Sequence, residues 1–412
     1  MRGTNAGPPL RVLFLTCHLP YPPASGGRRR EYELLRRLGG KVDFDLVAVS
    51  KTLVEDRSNA HRLAPMCHSV QVVPASSDGN LRGAQQVRRH ACPSLVDTVA
   101  ELAAAVDLVH VEGFYLMQHV PADCPVPIVL IEQNVEYDLC KQRASVARAL
   151  PEVFDRMRDY RQTRIAEIEA WRRSDLVGVL TEDDRRAVLS VAPDVRVRLT
   201  PDGVGHPSAW ADADGTVPDL GGPLLVFVAN FAYEPNLDAA RYLCSDVLPR
   251  IAREVRGVRL ALVGTSPPDE LRRLAGERDD VIVTGRVPAV EPYLDQADVV
   301  VAPLRVGGGV KVKVLEALSR GKAIVATSVA AQGFGADARS SMHNADEPES
   351  FAAAAVHLLQ SPAERARLEA AALRLAARLP SWDDAAQALH GCYREVTEVA
   401  VRPVSESTSV VG

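Results

Sequence analysis

Apolar residues gather in short unbroken runs separated by longer stretches of helical spacing. Arg11 to Thr16, Phe44 to Ser50, Val70 to Val73, Asp107 to Glu112, Val126 to Glu132 and Asp175 to Leu180 are rich in Val, Leu and Ile without polar alternation. Such runs suit strands of a parallel sheet buried on both faces. The longest helical stretch is 151–173, with Phe154, Met157, Tyr160, Ile165, Ile168 and Trp171 expected on one side and a solvated charged face on the other.

Between His206 and Gly222 the hydrophobic period vanishes and Pro, Gly, Ala and Asp collect, which marks a linker. The rhythm then restarts, with runs at Pro223 to Asn230, Val258 to Gly264, Val281 to Gly285, Asp298 to Leu304 and Ala323 to Ser328. The pattern predicts two doubly wound α/β domains in tandem. The first spans 1–205 and the second 206–380, and the segment 381–412 could cover the second domain or cross back to the first. The tail reads as two helices broken at Pro380-Ser381, with Ser381 as N-cap.

The 412 residues are enough for two or three domains, and 47% hydrophobic with 25% charged residues excludes a disordered or fibrous chain. A net charge of -5 gives no overall attraction to nucleic acid or anionic lipid, so any site for a polyanion must be local. Only six residues are Lys, and Lys311, Lys313 and Lys322 fall within twelve positions. Seven Cys without CxxC spacing read as reduced thiols, and Met1 to Pro9 lacks the pattern of a secretory leader. A cytoplasmic location follows, with membrane contact at most peripheral.

In parallel α/β sheets ligands bind beyond the carboxyl ends of the strands, so the loops there carry the chemistry. The strongest is Pro303 to Ala317. Gly307, Gly308 and Gly309 let the backbone approach a ligand, the helix after them brings its positive end, and Arg305, Lys311 and Lys313 add cations. This is a phosphate cradle, but neither a Walker A loop nor the dinucleotide GxGxxG. Glu316 follows Lys313 by three residues and is placed to accept hydrogen bonds from ribose hydroxyls, or to neutralise Lys313. Asn230 and Asn236 flank the turn after the first strand of the second domain, and Asn236 is also a good helix N-cap. In the first domain, Gly26 and Gly27 precede a helix expected to begin near Arg28. His18, Glu112, Gln133 and Asn134 lie at strand ends and are candidates for acceptor contact. No GxSxG or HExxH occurs, and the ten His show no ligand spacing, so those chemistries read poorer; with the basic loop in a metal's place, neither a bound metal nor a cofactor is expected. Asp43-Phe44-Asp45 and Asp212-Ala213-Asp214 are not placed like a metal-nucleotide clamp; Asp212→Ala is expected to change nothing.

The chain resembles the retaining GT-B glycosyltransferases of family GT4. The residues that carry the likeness are LPYPPASGGRRREYELLRRL near the start, EQNVEYD at 132–138, TPDGV at 200–204, FVANFAYEPNLDAARYL at 227–243, VTGRV at 283–287, APLRVGGGVKVKVLEALSRGKAIVATSVAAQGF at 302–334 and SWDDAA at 381–386. The resemblance implies two Rossmann-like domains facing across a cleft, a final helix crossing back to the first domain, and a UDP-, GDP- or dTDP-sugar donor held by the second. It places Gly26 and Gly27 near the donor sugar or diphosphate and Arg286 and Val287 near the base. Glu316 would hold the ribose, while Gly308, Gly309, Val310, Lys311 and Lys313 would hold the diphosphate. Transfer would be front-face, with Arg305, Lys311 and Lys313 stabilising the leaving diphosphate and no metal required. The acceptor loops 76–92 and 138–150 contain Arg and Ser and lack a long apolar amphipathic stripe, so a small polar metabolite or a glycan is favoured over a lipid as acceptor.

Two departures stand out. The Glu-x7-Glu pattern of the family lacks its first member, since Gly308 stands eight residues before Glu316. The Arg and Lys pair after the second domain's first strand is replaced by Asn230 and Asn236. These leave open a nucleotide-sugar epimerase or a non-catalytic nucleotide-sugar-binding protein.

Overall fold

The computed structural model describes residues 8–23, 25–75, 83–146, 150–205, 217–335 and 338–400. The chain forms two units, one from the residues up to Pro201 together with those from Asp383 onward, the other from Asp202 to Trp382. Much of the expected linker, including Asp212 to Asp214, lies outside the described residues, as does part of the expected acceptor loop 76–92.

The first unit holds β1 (Leu10–Thr16), β2 (Val42–Ser50), β3 (Ser69–Pro74), β4 (Leu108–Glu112), β5 (Ile128–Glu132), β6 (Leu176–Val179) and β7 (Val197–Leu199). They are parallel, in the order β3-β2-β1-β4-β5-β6-β7. The second holds β8 (Leu224–Val228), β9 (Arg259–Val263), β10 (Val281–Gly285), β11 (Val299–Ala302), β12 (Ile324–Ala326) and β13 (His343–Asn344). Its sheet is also parallel, in the order β10-β9-β8-β11-β12-β13. Every apolar run of the sequence became a strand, because both faces of each sheet are covered and an uninterrupted apolar run is what such a position buries. In each sheet the order reverses beside the first strand, between β1 and β4 and between β8 and β11, and there the loops diverge to leave room for a ligand.

Helix Leu150–Arg173 corrects the pattern expected of it. Phe154 and Ile165 are 75% and 67% exposed, while Thr163, Glu167, Ala170 and Trp171 are buried. The buried seam contains a carboxylate for a specific reason. The oxygens of Glu167 accept the backbone N–H groups of Glu136 and Tyr137 at 2.7 and 2.8 Å, satisfying donors that helix Glu136–Val146 leaves open at its first turn. Replacing Glu167 by Ala leaves both buried donors without a partner, a loss of about 3 kcal/mol. Thermal unfolding is expected to fall by roughly 6 to 12 °C, and Glu167→Gln, which keeps one acceptor, is expected to lose less.

The last helix, Trp382–Ala400, packs on the first unit. Tyr393 is fully buried against β4, Arg37 pairs with Asp383 at 2.8 Å, and Arg198 pairs with Glu395 at 2.8 Å. Just before it, Val204 N–H donates to Pro380 at 2.7 Å, so the two chain segments that connect the units run side by side within the second unit.

Candidate active site

In the second unit the loops after β8 and β11 meet at the reversal point. The loop after β11 runs through Gly307, Gly308 and Gly309 into helix Val312–Ser319, whose N-cap is Lys311. Lys311 is buried and its ammonium donates to the carbonyls of Gly308 at 2.9 Å and Gly309 at 2.7 Å. The loop is therefore stapled by its own lysine. A Cβ on Gly307 would lie 2.8 Å from Lys311 Cε, so the side chain reaches those carbonyls only across a glycine. With the carbonyls turned onto Lys311, the loop leads into the positive N-terminal end of the helix, which favours an anion.

Lys313 sits in the first turn. Its ammonium donates to Asn236 Oδ1 at 2.5 Å and lies 4.7 Å above the centre of the Phe227 ring. Burial, with a smaller push from the Lys311 charge, lowers it to about 7, against the opposing effect of Glu316. Asn236 Nδ2 in turn donates to the Asn230 carbonyl at 2.8 Å, and Asn230 Oδ1 accepts from Ala232 N–H at 3.1 Å. Asn236 is not the N-cap the sequence suggested. Helix Glu234–Tyr242 is capped at Tyr233, and Asn236 uses its amide to tie the β8 loop to Lys313.

Arg305 is placed differently from the lysines. Its guanidinium grips Asp238 through both Nε, at 2.9 Å, and Nη2, and lies 5.1 Å from the Tyr242 ring centre. Contact with a diphosphate would require giving up that pair. Val310 packs against the core, and Glu316 is partly buried in the same helix as Lys313. Exposed Arg286 and partly buried Val287 follow β10, two strands from β8.

In the first unit, helix Gly26–Leu38 begins two residues earlier than expected, with Ser25 Oγ accepting Arg28 N–H at 3.5 Å. Gly26 and Gly27 are thus the first helical residues. A Cβ on Gly27 would lie 2.9 Å from Gln133 Oε1 and 3.4 Å from His18 Cε1, so both side chains close on the helix start. Gln133 Nε2 donates to Glu112 Oε2 at 3.1 Å. His110 Nε2 donates to the other oxygen, Oε1, at 2.9 Å, and Tyr393 O–H donates to His110 Nδ1 at 2.8 Å. Burial pushes the Glu112 carboxyl up, but His110, Arg30 and Gln133 outweigh it and hold it below the usual carboxylate range. Burial holds His110 below its ordinary value despite Glu112. The pair is a carboxylate beside a neutral imidazole. His18 pairs with Glu31 Oε1 at 2.9 Å, and Asn134 lies partly buried after β5. His18, Gly27, Glu112 and Gln133 therefore form one cluster.

Sequence reasoning missed Glu31 and Tyr393. Glu31 did carry a signal, since it stands three, four and seven residues before Leu34, Leu35 and Leu38 and so shares their buried face.

Ligand atoms of His343, His357 and Glu364 lie within 4.8 Å of one another, a grouping that sequence spacing does not reveal. Glu364, however, is engaged by Arg367 at 2.7 and 2.9 Å. Among the described residues no helix is long and apolar enough to cross a membrane.

Known proteins match this architecture. Residues 222–361 match the family model described as glycosyl transferases group 1, a segment that contains both loops of the second unit. Sucrose-phosphate synthase from Thermosynechococcus elongatus is 18% identical with a TM-score of 0.67, covering 95% of this chain and 100% of its own. HepE from Anabaena, solved with UDP and glucose, is 14% identical with a TM-score of 0.68, covering 94% and 100%. The UDP-forming α,α-trehalose-phosphate synthase from Burkholderia xenovorans is 14% identical with a TM-score of 0.62, covering 94% and 99%. No curated protein matches the chain. Two parallel doubly wound sheets with the last helix returned to the first unit define the GT-B fold. The second unit carries the glycosyl transferases group 1 domain, and the chain is a glycosyltransferase.

Proposed function

We propose that the protein is a retaining glycosyltransferase that moves a sugar from a nucleotide-diphosphate donor to a hydroxyl or similar nucleophile of a small polar metabolite or glycan. The observation that carries the reading is the Lys311-stapled glycine loop opening onto a helix start, with the Lys313 ammonium beside it. As the glycosidic bond loosens, negative charge gathers on the leaving diphosphate, and fixed N–H groups and an ammonium at that point stabilise it. Lys311 serves by holding the loop, Lys313 by meeting the charge, and Arg305 by fixing the loop's entry through Asp238. Glu316 is assigned to the ribose and Arg286 with Val287 to the base. UDP is the favoured nucleotide, since HepE is solved with it and the trehalose-phosphate synthase is named for forming it.

Retention follows from the family resemblance: the departing phosphate takes the acceptor's proton in a front-face transfer, without a protein nucleophile and without a metal, so the missing carboxylate at Gly308 does not by itself abolish transfer. On the acceptor side, Glu112 with His110, Gln133 and His18 offers hydrogen bonds to a polyhydroxylated molecule. A cytoplasmic setting agrees with free cysteines throughout the described residues. The stereochemistry is tested by NMR of the product formed from a UDP-α-sugar and a panel of polar acceptors. An α-linkage is expected, and a β-linkage overturns the retaining assignment.

The state of Lys313 gives a pH dependence with a definite sign. With the ligand-free ammonium at about 7, the lysine is largely neutral above that pH, while a diphosphate requires it charged. Binding above pH 7 must therefore recruit a proton, so affinity falls by up to tenfold per pH unit as pH rises from 7 to 9. Calorimetry at pH 8 in buffers of different ionisation enthalpy is expected to show uptake approaching one proton, and no uptake contradicts the assignment.

A further inference from the structure

Beside the acceptor cluster lies a group that the transfer reaction does not use. Cys17 follows β1 and is only partly buried. Its Sγ is 3.2 Å from His18 Nδ1 and accepts the Tyr115 hydroxyl at 3.3 Å. The far nitrogen of His18 pairs with Glu31 Oε1 at 2.9 Å, and Thr16 Oγ1 donates to Glu31 Oε2 at 2.7 Å, which fixes the carboxyl. A sulfur, an imidazole and an orienting carboxyl in line form the arrangement that turns a thiol into a nucleophile.

We infer that Cys17 is held as a thiolate by His18, Glu31 and Tyr115 and is a site of covalent modification by small electrophiles, with a peroxide as the co-reactant. The thiolate sulfur attacks one peroxide oxygen, an S–O bond forms as the O–O bond breaks, and the departing hydroxide takes a proton from the His18 imidazolium to leave as water. Sulfur is oxidised by two electrons to the sulfenic level and the peroxide is reduced.

The charged and titratable groups around Cys17 favour this state. Burial alone pushes the thiol up, but the charge and hydrogen bond of His18, supported by His90, bring it well below the ordinary thiol value. Burial would lower His18, yet Glu31 and Cys17 raise it well above the ordinary imidazole. Burial pushes Glu31 up to about 7 against the opposing pull of His18. On the other side the His90 ring stacks on Tyr115 at 4.3 Å, and Lys51 Nζ lies 2.7 Å from His90 Nε2. The contrast with other cysteines is sharp: burial pushes Cys67, Cys140 and Cys392 to about 12 and Cys244 to about 11.

The test uses the full chain and limited iodoacetamide, with modified residues located by peptide mass spectrometry. In that reaction an S–C bond forms and iodide leaves. A low-pKa thiolate is a weaker nucleophile than an ordinary one, so the slope against pH is more telling than the absolute rate. Cys17 is expected to be labelled first, at a rate constant within about twofold between pH 6.5 and 8.5, where the glutathione reference falls about tenfold per unit below its own pKa. One thiolate is expected in the 240 nm absorbance at pH 6.5, lost in Cys17→Ser. His18→Gln is expected to restore the slope of a free thiol. Tyr115→Phe, which removes one donor, is expected to move the profile upward in pH while the chain stays folded. After dilute hydrogen peroxide, dimedone is expected to mark Cys17. A slope like that of glutathione, labelling of Cys17 only after unfolding, no 240 nm thiolate, or dimedone absent from Cys17 overturns the inference.

Discussion

Lys313→Ala is expected to weaken binding of the nucleoside diphosphate at pH 7 by at least about 100-fold, the cost of removing one ionised partner from a phosphate in a partly buried site. Three contacts make this lysine hard to replace. The Phe227 face lies beneath its ammonium, Asn236 orients it, and burial, with a smaller push from Lys311, keeps it low until an anion draws a proton onto it. Lys313→Arg is expected to fail as well, because a forked guanidinium does not fit the single oxygen of Asn236 and the ring below. Lys313→Met retains the stem, and it should also abolish the pH dependence between 7 and 9. Calorimetric titration with circular dichroism as the control for folding separates lost binding from lost structure.

Gly264→Ala is expected to be the most damaging single-methyl change in the second unit. A Cβ there would lie 1.9 Å from the Ala229 carbonyl oxygen, with backbone atoms on every near side, and φ is +140°, a region that L side chains rarely adopt. The strain and the clash together exceed about 4 kcal/mol. A fall of roughly 10 °C or more in the unfolding midpoint, or failure to accumulate as soluble protein, is expected. The close approach has a functional reason. Ala229 N–H donates to Val263 and Phe231 N–H to Thr265, both at 2.9 Å, so β9 is the backboard that holds the Asn230 loop in place. Gly276, in helix Asp269–Glu277, has nothing near its missing Cβ. Gly276→Ala is the matched control, expected to be neutral or to stabilise by about 0.5 to 1 kcal/mol.

Strands were legible wherever burial on both faces wrote an apolar run, and the two that were not foreseen, β7 and β13, are short edge strands with mostly uncovered side chains. The glycine loop was legible because glycines and lysines are so concentrated there. What the two lysines do was not, since Lys311 turns back on its own loop while Lys313 meets Asn236, 77 residues away in sequence. Helix Leu150–Arg173 misled for a related reason: its apolar residues suggested one face, but the backbone donors of a neighbouring helix claimed Glu167 for the interior. Partners distant in sequence decide such polar positions, and no local period records them.

The central claim is that the β11 loop and the start of helix Val312–Ser319 hold the diphosphate of a nucleotide-sugar. The most direct test is a thermal-shift panel of UDP, GDP, ADP, dTDP and their sugars on wild-type protein and Lys313→Ala, since a ligand that binds only the folded state raises the unfolding midpoint. One nucleotide family, UDP by preference, is expected to stabilise the wild type with or without Mg2+ and to leave Lys313→Ala unmoved. Equal stabilisation of the variant, or no shift from any nucleotide, contradicts the account.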